Sequence, residues 1–139
     1  MSYLLDTCVV SEMVKPRPNP KVINWVRSCQ EDDLFLSVLV VGEIQKGVSK
    51  LPESARKKQL EQWLESQLIH RFAGRIITID GHVARKWGET LAKCELSGKV
   101  ISVIDAFIAA SGLAYNLTVV TRNTDHMKQS GVSLHNPWQ

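Results

Sequence analysis

The sequence is poor in the residues that cross-link a protein or anchor it in a membrane. Its three cysteines, Cys8, Cys29 and Cys94, are an odd set scattered along the chain. Without a Cys-x-x-Cys pair or a Cys/His zinc spacing, neither a disulfide framework nor a structural zinc is expected. The four histidines form no ligand or catalytic spacing either. No apolar run approaches the ~20 residues of a membrane span. The opening residues lack a basic stretch followed by an apolar core, so no secretory signal is read. Reduced thiols and no export signal make the cytoplasm the expected location. Neither charge sign dominates: the formal net charge is +3, which suits a nucleic-acid partner without identifying one. Repeats, low-complexity tracts and linkers are absent, so a single domain over residues 1–139 is expected.

What is present is an alternation of short apolar runs with helical patterns. Hydrophobic residues make up 44% of the chain, enough for a proper core. Tyr3–Leu5 reads as a strand, apolar on both faces as parallel strands are. Thr7–Val14 predicts a short helix, stopped by Pro16, Pro18 and Pro20. Asn19 then caps a helix opening at Pro20, whose Val22, Ile23, Trp25 and Val26 cover more than one face. The acidic Glu31-Asp32-Asp33 ends it. Leu34–Ser37 is a second strand and Val38–Ser49 the next helix. A charged helix follows over about Glu53–Phe72, with Leu60, Trp63, Leu64, Gln67 and Leu68 as one stripe. Arg75–Ile79 is the third strand. Asp80 caps a helix carrying Val83, Trp87 and Leu91, and Gly98 breaks it. Asp105–Tyr115 is a helix rich in small residues, ended by Asn116. Leu117–Thr121 is the fourth strand and Val132–Leu134 a last short one. Strands alternating with helices predict right-handed crossovers and a parallel sheet.

Acids fall where such a sheet collects ligands, at the carboxyl ends of its strands. Asp6 ends the first strand. Glu43 follows the second, close enough to point back over the same edge. Asp105 opens the helix leading into the fourth strand, and Asn123 follows that strand. Converging carboxylates repel one another and stay ionised when a cation sits between them. Oxygen donors without His or Cys suit Mg²⁺ or Mn²⁺. Such an ion keeps positions open for phosphate oxygens and prepares water for in-line attack. Each residue has a plainer reading. Asp6 caps a helix, Asp105 favours a helix dipole, and Glu43 is a solvated helix residue. The set is more specific than any member.

At these residues the chain resembles the PIN-domain ribonucleases, specifically the VapC-type toxins of bacterial toxin–antitoxin pairs in the FitB-like branch. The resemblance runs essentially end to end. It rests on L-L-D-T-C-V-V-S-E at Leu4–Glu12, S-V-L-V-V-G-E at Ser37–Glu43 and I-D-A-F-I-A-A at Ile104–Ala110. It also rests on V-T-R-N-T at Val120–Thr124 and N-P-W at Asn136–Trp138. It implies an α/β/α sandwich around a central parallel sheet of four or five strands. It implies a Mg²⁺- or Mn²⁺-dependent endoribonuclease that hydrolyses phosphodiester bonds of RNA, structured RNA such as a tRNA being a family-level expectation. A homodimer, inhibition by a cognate VapB-like antitoxin, and contact with DNA only through that antitoxin are implied too. The family's acidic positions carry over to Asp6, Glu43 and Asp105. Asp6 and Asp105 would be the principal metal ligands, Glu43 would bind metal through water or position the nucleophile, and Thr7 would orient Asp6. Asn123 completes the catalytic set where many relatives have a fourth aspartate, and brings an amide without charge. Cys8 stands where relatives often have Asn, either as a small buried side chain or as a thiolate ligand. Asp125 is a solvated loop acid or a stand-in for the missing aspartate.

Basic residues at Lys46 and Lys50 share a helix with Glu43 and suit phosphates flanking a scissile bond. Arg56-Lys57-Lys58 reads as a solvated helix face. Arg122 lies beside the acids or pairs structurally with one at a strand end. Trp63 and Trp87 lie on apolar helical stripes, as core or dimer-interface residues, and Trp25 suits a dimer or antitoxin contact. Two rivals remain. A haloacid-dehalogenase-like phosphohydrolase would use Asp6 as a nucleophile, but its second Asp is Cys8 here. A catalytically weak PIN-like module that binds RNA is favoured by Asn123.

Overall fold

A computed structural model describes all 139 residues. Five parallel strands form one sheet: β1 (Tyr3–Leu5), β2 (Leu34–Ser37), β3 (Ile76–Ile77), β4 (Thr118–Val120) and β5 (Leu134–His135). Their order is β3-β2-β1-β4-β5. Tyr3 aligns with Leu34 on one side and Thr118 on the other, and Leu4 with Phe35 and Val119. The chain winds outward from β1 to β3, then returns to β4 and winds out the other way. β1 and β4 therefore flank the topological switch point, where open α/β sheets bind ligands.

Helices cover both faces. On one side lie α1 (Thr7–Met13), α2 (Pro20–Ser28), α3 (Val38–Ser49), α4 (Ala55–Gln62) and the short α5 (Ile69–Arg71). On the other lie α6 (Gly81–Leu96), α7 (Val103–Tyr115) and α8 (Thr124–Met127). Local chemistry starts them where the sequence does. Asn19 Oδ1 accepts from Lys21 N at 2.9 Å and Asp80 Oδ1 from Val83 N at 2.9 Å. Ser37 closes β2 and also caps α3, accepting from Leu39 N at 3.1 Å, so strand passes into helix with no loop. Asn116 ends α7 in the left-handed region at φ 55°, a role asparagine tolerates. The core joins Leu4, Leu5, Leu34, Leu36, Val119 and Val120 of the sheet to Val9, Val10, Leu64, Phe72 and Ile108 of the helices. No helix is long and apolar enough to cross a membrane.

The structure moves several expected boundaries. The single helix expected over Glu53–Phe72 is broken by a π-helical turn at Trp63–Leu68. The wider turn points Leu64 and Leu68 inward together and leaves Gln67, expected on the stripe, in water. The small-residue helix begins at Val103 because Ser102 caps it, taking Asp105 N at 3.1 Å. Asp105 is thus a first-turn residue and not the cap. β3 shrinks to Ile76–Ile77, since it lies at the sheet edge with a single partner. β5 shifts to Leu134–His135, where it pairs with Val119 and Val120.

Candidate active site at the sheet edge

Asp6 leaves β1 at the switch point, its backbone N–H donating to Val120 O of β4 at 3.0 Å. Its carboxylate is 6% exposed. Oδ1 accepts from Thr7 N at 2.8 Å and Oδ2 from Thr121 Oγ1 at 2.8 Å. The capping reading of Asp6 holds, because it stands at the N-terminus of α1 and accepts from Thr7 N. Thr121 is fully buried and takes Asn123 N at 3.0 Å, so one hydroxyl fixes both Asp6 and the loop after β4. Thr121 was not among the expected site residues. The signal for it is its position, a hydroxyl at the carboxyl end of the strand beside β1.

Glu43 comes from the second turn of α3. Ile44 and Val48 are buried four residues apart, which sets that helix's rotation. Glu43 Oε1 accepts from Thr7 Oγ1 at 2.6 Å. Thr7 therefore bridges the two acids: its N–H holds Asp6 and its hydroxyl holds Glu43. Asp105 approaches from α7, half-buried, with His126 Nδ1 3.9 Å from its Oδ2. Burial pushes the Asp6 carboxyl above its ordinary range. The Thr121 hydroxyl and Thr7 N–H oppose that shift, while the charges of Asp105 and Glu43 add to it. The charges of Asp105 and Glu43 are thus felt at Asp6, and no lysine or arginine pairs with any of the three.

Asn123 is exposed, and its side chain makes no capping bond to α8. Asp125 is an exposed loop acid. Cys8 is half-buried, its Sγ 3.6 Å from Thr121 Oγ1 and 3.9 Å from Asp6 Oδ2. Burial raises its thiol pKa, with the Arg122 N–H opposing, which disfavours the thiolate form. Arg122 faces Glu12 within α1 and not an acid at a strand end; Glu12 is 3% exposed and 3.9 Å from the guanidinium. Trp87 stacks on Phe107 with centroids 4.6 Å apart, and Trp25 packs between Tyr3 and His135 of its own chain. Lys46 on α3 and Lys50 just past its end are exposed, and Arg56 donates to Val14 O at 2.9 Å. A groove of about 390 Å³ runs from Thr7 and Glu43 past Ser11 and Ile44 to Arg56 and Trp63.

These acids do not form a closed cage: no three His, Cys, Asp or Glu side chains stand close enough to share one ion. The donor set still fits magnesium better than zinc. Its donors are oxygens, and Mg²⁺ commonly uses one or two carboxylates while keeping several waters. A divalent cation would offset both the burial and the neighbouring charges that raise the Asp6 pKa.

Comparison with known proteins identifies the family. The PIN domain model matches residues 3–131. Toxin FitB of Neisseria gonorrhoeae is 37% identical over 97% of both chains. A VapC ribonuclease, Y4jK of Sinorhizobium fredii, is 32% identical over 98% of this chain and 97% of its own. A solved structure of FitAB bound to an IR36 DNA fragment contains a chain that superposes with a TM-score of 0.94. It is 35% identical and covers 99% of this chain and 96% of its own. The chain belongs to the PIN-domain family, among the VapC-type ribonucleases and FitB-type toxins.

Proposed function

We propose that this chain is the toxin of a toxin–antitoxin pair and an endoribonuclease that hydrolyses RNA phosphodiester bonds with Mg²⁺ or Mn²⁺. The observation that carries this reading is Asp6: a buried carboxylate at the switch point, under the charge of Glu43 and Asp105, with no lysine or arginine paired to any of the three. Asp6 and Asp105 would hold the ion, with Glu43 beside them. When bound, it supplies a Lewis acid for the phosphate and lowers the pKa of water at the site. The protein's own part is positioning. Thr121 and Thr7 N–H fix both oxygens of Asp6, so the carboxylate need not reorganise. Thr7 Oγ1 occupies Glu43 Oε1 and leaves Oε2 to orient the attacking water. Lys46 and Lys50 meet phosphates on either side of the scissile bond and give affinity without sequence choice.

A cognate antitoxin inhibits by laying a peptide or helix along the groove beside Glu43 and setting a basic side chain among the carboxylates. DNA is reached only through that antitoxin. The toxin acts as a homodimer in the cytoplasm, as one domain over residues 1–139. Inhibition that survives replacement of the antitoxin's basic residue would remove the basic-plug feature.

The test is cleavage of total bacterial RNA by antitoxin-free protein with Mg²⁺, with Mn²⁺ and with chelator, beside Asp105→Asn. Discrete fragments that require metal and vanish in the variant are expected. One observation favours a second reading, a module that binds RNA with little catalysis: Asn123 is exposed and uncharged where many relatives place an acid. RNA binding by both forms and cleavage by neither would select it.

A further inference from the structure

Asp6 is oriented by Thr121, whose own N–H donates to His135 O at 3.0 Å, and the next residue, Arg122, ties the same segment to its surroundings. Arg122 touches four parts of the molecule. Its backbone N–H points at Cys8 Sγ, 3.5 Å away. Its carbonyl accepts from Asn136 Nδ2 at 3.5 Å. Its guanidinium carbon stands 4.3 Å from the centre of the Trp138 ring. Its Nη2 lies 3.9 Å from Glu12 Oε1. Both jaws are themselves anchored. Glu12 accepts from Lys15 Nζ at 3.1 Å and from Asn19 N at 3.0 Å. Trp138 N donates to Asn136 Oδ1 at 2.9 Å, a tight turn that presents the indole face.

We propose that Arg122, clasped between Glu12 and Trp138, is a positioning residue for the Asp6 carboxylate, acting through Thr121. The Asn136–Trp138 tail is then part of the active-site scaffold. Residues that orient a ligating carboxylate matter nearly as much as the ligand itself. The planar guanidinium suits the ring face in a way that a lysine does not. The guanidinium also leans toward Glu12 on α1, so α1, the β4 exit and the tail meet at one side chain. This inference rests on the nuclease reading above.

The test uses full-length wild type, Arg122→Ala, Arg122→Lys, Trp138→Leu and Trp138→Phe. Mn²⁺ affinity is read by calorimetry, and RNA cleavage as separate kcat and KM. Arg122→Ala and Trp138→Leu are expected to weaken Mn²⁺ binding and lower kcat, each roughly tenfold. KM for RNA stays within about twofold of wild type. Trp138→Phe keeps a ring face and most of the affinity, while Arg122→Lys falls between. The two conservative variants guard against loss of fold in the other two. A raised KM and flattened salt dependence, with Mn²⁺ affinity and kcat intact, would overturn the proposal and make Arg122 a phosphate contact. Wild type that binds no Mn²⁺ and cuts no RNA would remove the nuclease reading, and the proposal with it.

Discussion

Two buried acids, Asp6 and Glu12, are held in opposite electrostatic conditions. An aspartate in the unfolded chain titrates near 3.8, and Asp6 titrates above that in the folded protein. A raised carboxyl favours folding below 3.8 and loses that advantage as pH rises through the folded value. Metal-free Asp6→Asn is therefore expected to melt at a higher temperature than wild type at neutral pH. The gap should close as pH falls toward 3.8, and differential scanning calorimetry across pH reads it. For Glu12, burial acts to raise the pKa, but the Asn19 N–H, Lys15 and Arg122 prevail and lower it below the ordinary 4.5. Its contribution is present above 4.5 and is lost as pH falls through the lowered value. Glu12→Ala should cost about 1–3 kcal/mol at neutral pH by leaving Asn19 N–H and Lys15 without their partner. Urea unfolding at neutral and acid pH, with the difference narrowing in acid, checks this. Asp6 was legible in the sequence because a strand, an acid and a hydroxyl stood in a row. Glu12 carried no such signal: its partners Asn19 and Arg122 reach it only through folding.

At the scale of elements, the alternation of strand and helix was readable up to β4, because apolar runs and caps mark the starts. The short α8, which has no side-chain cap, was missed. Boundaries that depend on a partner were not legible. β3 and β5 end where pairing ends, and pairing is a property of the sheet. The π-helical turn at Trp63–Leu68 was hidden because its apolar spacing fits an ordinary helix equally well. α7 buries a run of small residues, Ala109, Ala110, Ser111 and Gly112. A Cβ on Gly112 would lie 2.7 Å from Val132 Cγ2 and 3.0 Å from Leu117 O. The backbone carbonyl cannot yield, so the gain in helix propensity is overridden. Gly112→Ala is expected to destabilise by about 1–3 kcal/mol, seen as a lower urea midpoint at unchanged slope. A stabilised variant would mean that α7 sits farther from β4 than the structure has it. Because α7 also carries Asp105, that displacement would reach the site.

For the whole molecule, the strand order decides what the acids can do together. Asp6 and Thr121 are 115 residues apart, yet the β1–β4 pairing sets them 2.8 Å from each other. The expectation that Asp6, Glu43 and Asp105 converge came from a parallel sheet and from the family resemblance. Thr7 bridges two acids that lie far apart in the chain, its N–H to Asp6 and its hydroxyl to Glu43. The basic residues form no pervasive field, with a net charge of +3, so RNA affinity should depend on particular side chains. Replacing Lys46 and Lys50 together by alanine is expected to raise KM for RNA and flatten its salt dependence, leaving Mn²⁺ affinity unchanged. Unchanged KM would move the RNA path off α3.

The chemistry of the cut ends tests the central claim most directly. Hydrolysis by water leaves a phosphomonoester on one new end and a hydroxyl on the other, whereas attack by the ribose 2′-hydroxyl leaves a cyclic phosphate. Mass spectrometry of the fragments, made with Mn²⁺ and with chelator, separates the two. The account predicts phosphomonoester ends that form only with metal and not with Asp105→Asn. Cyclic phosphate ends that form with chelator present would contradict it.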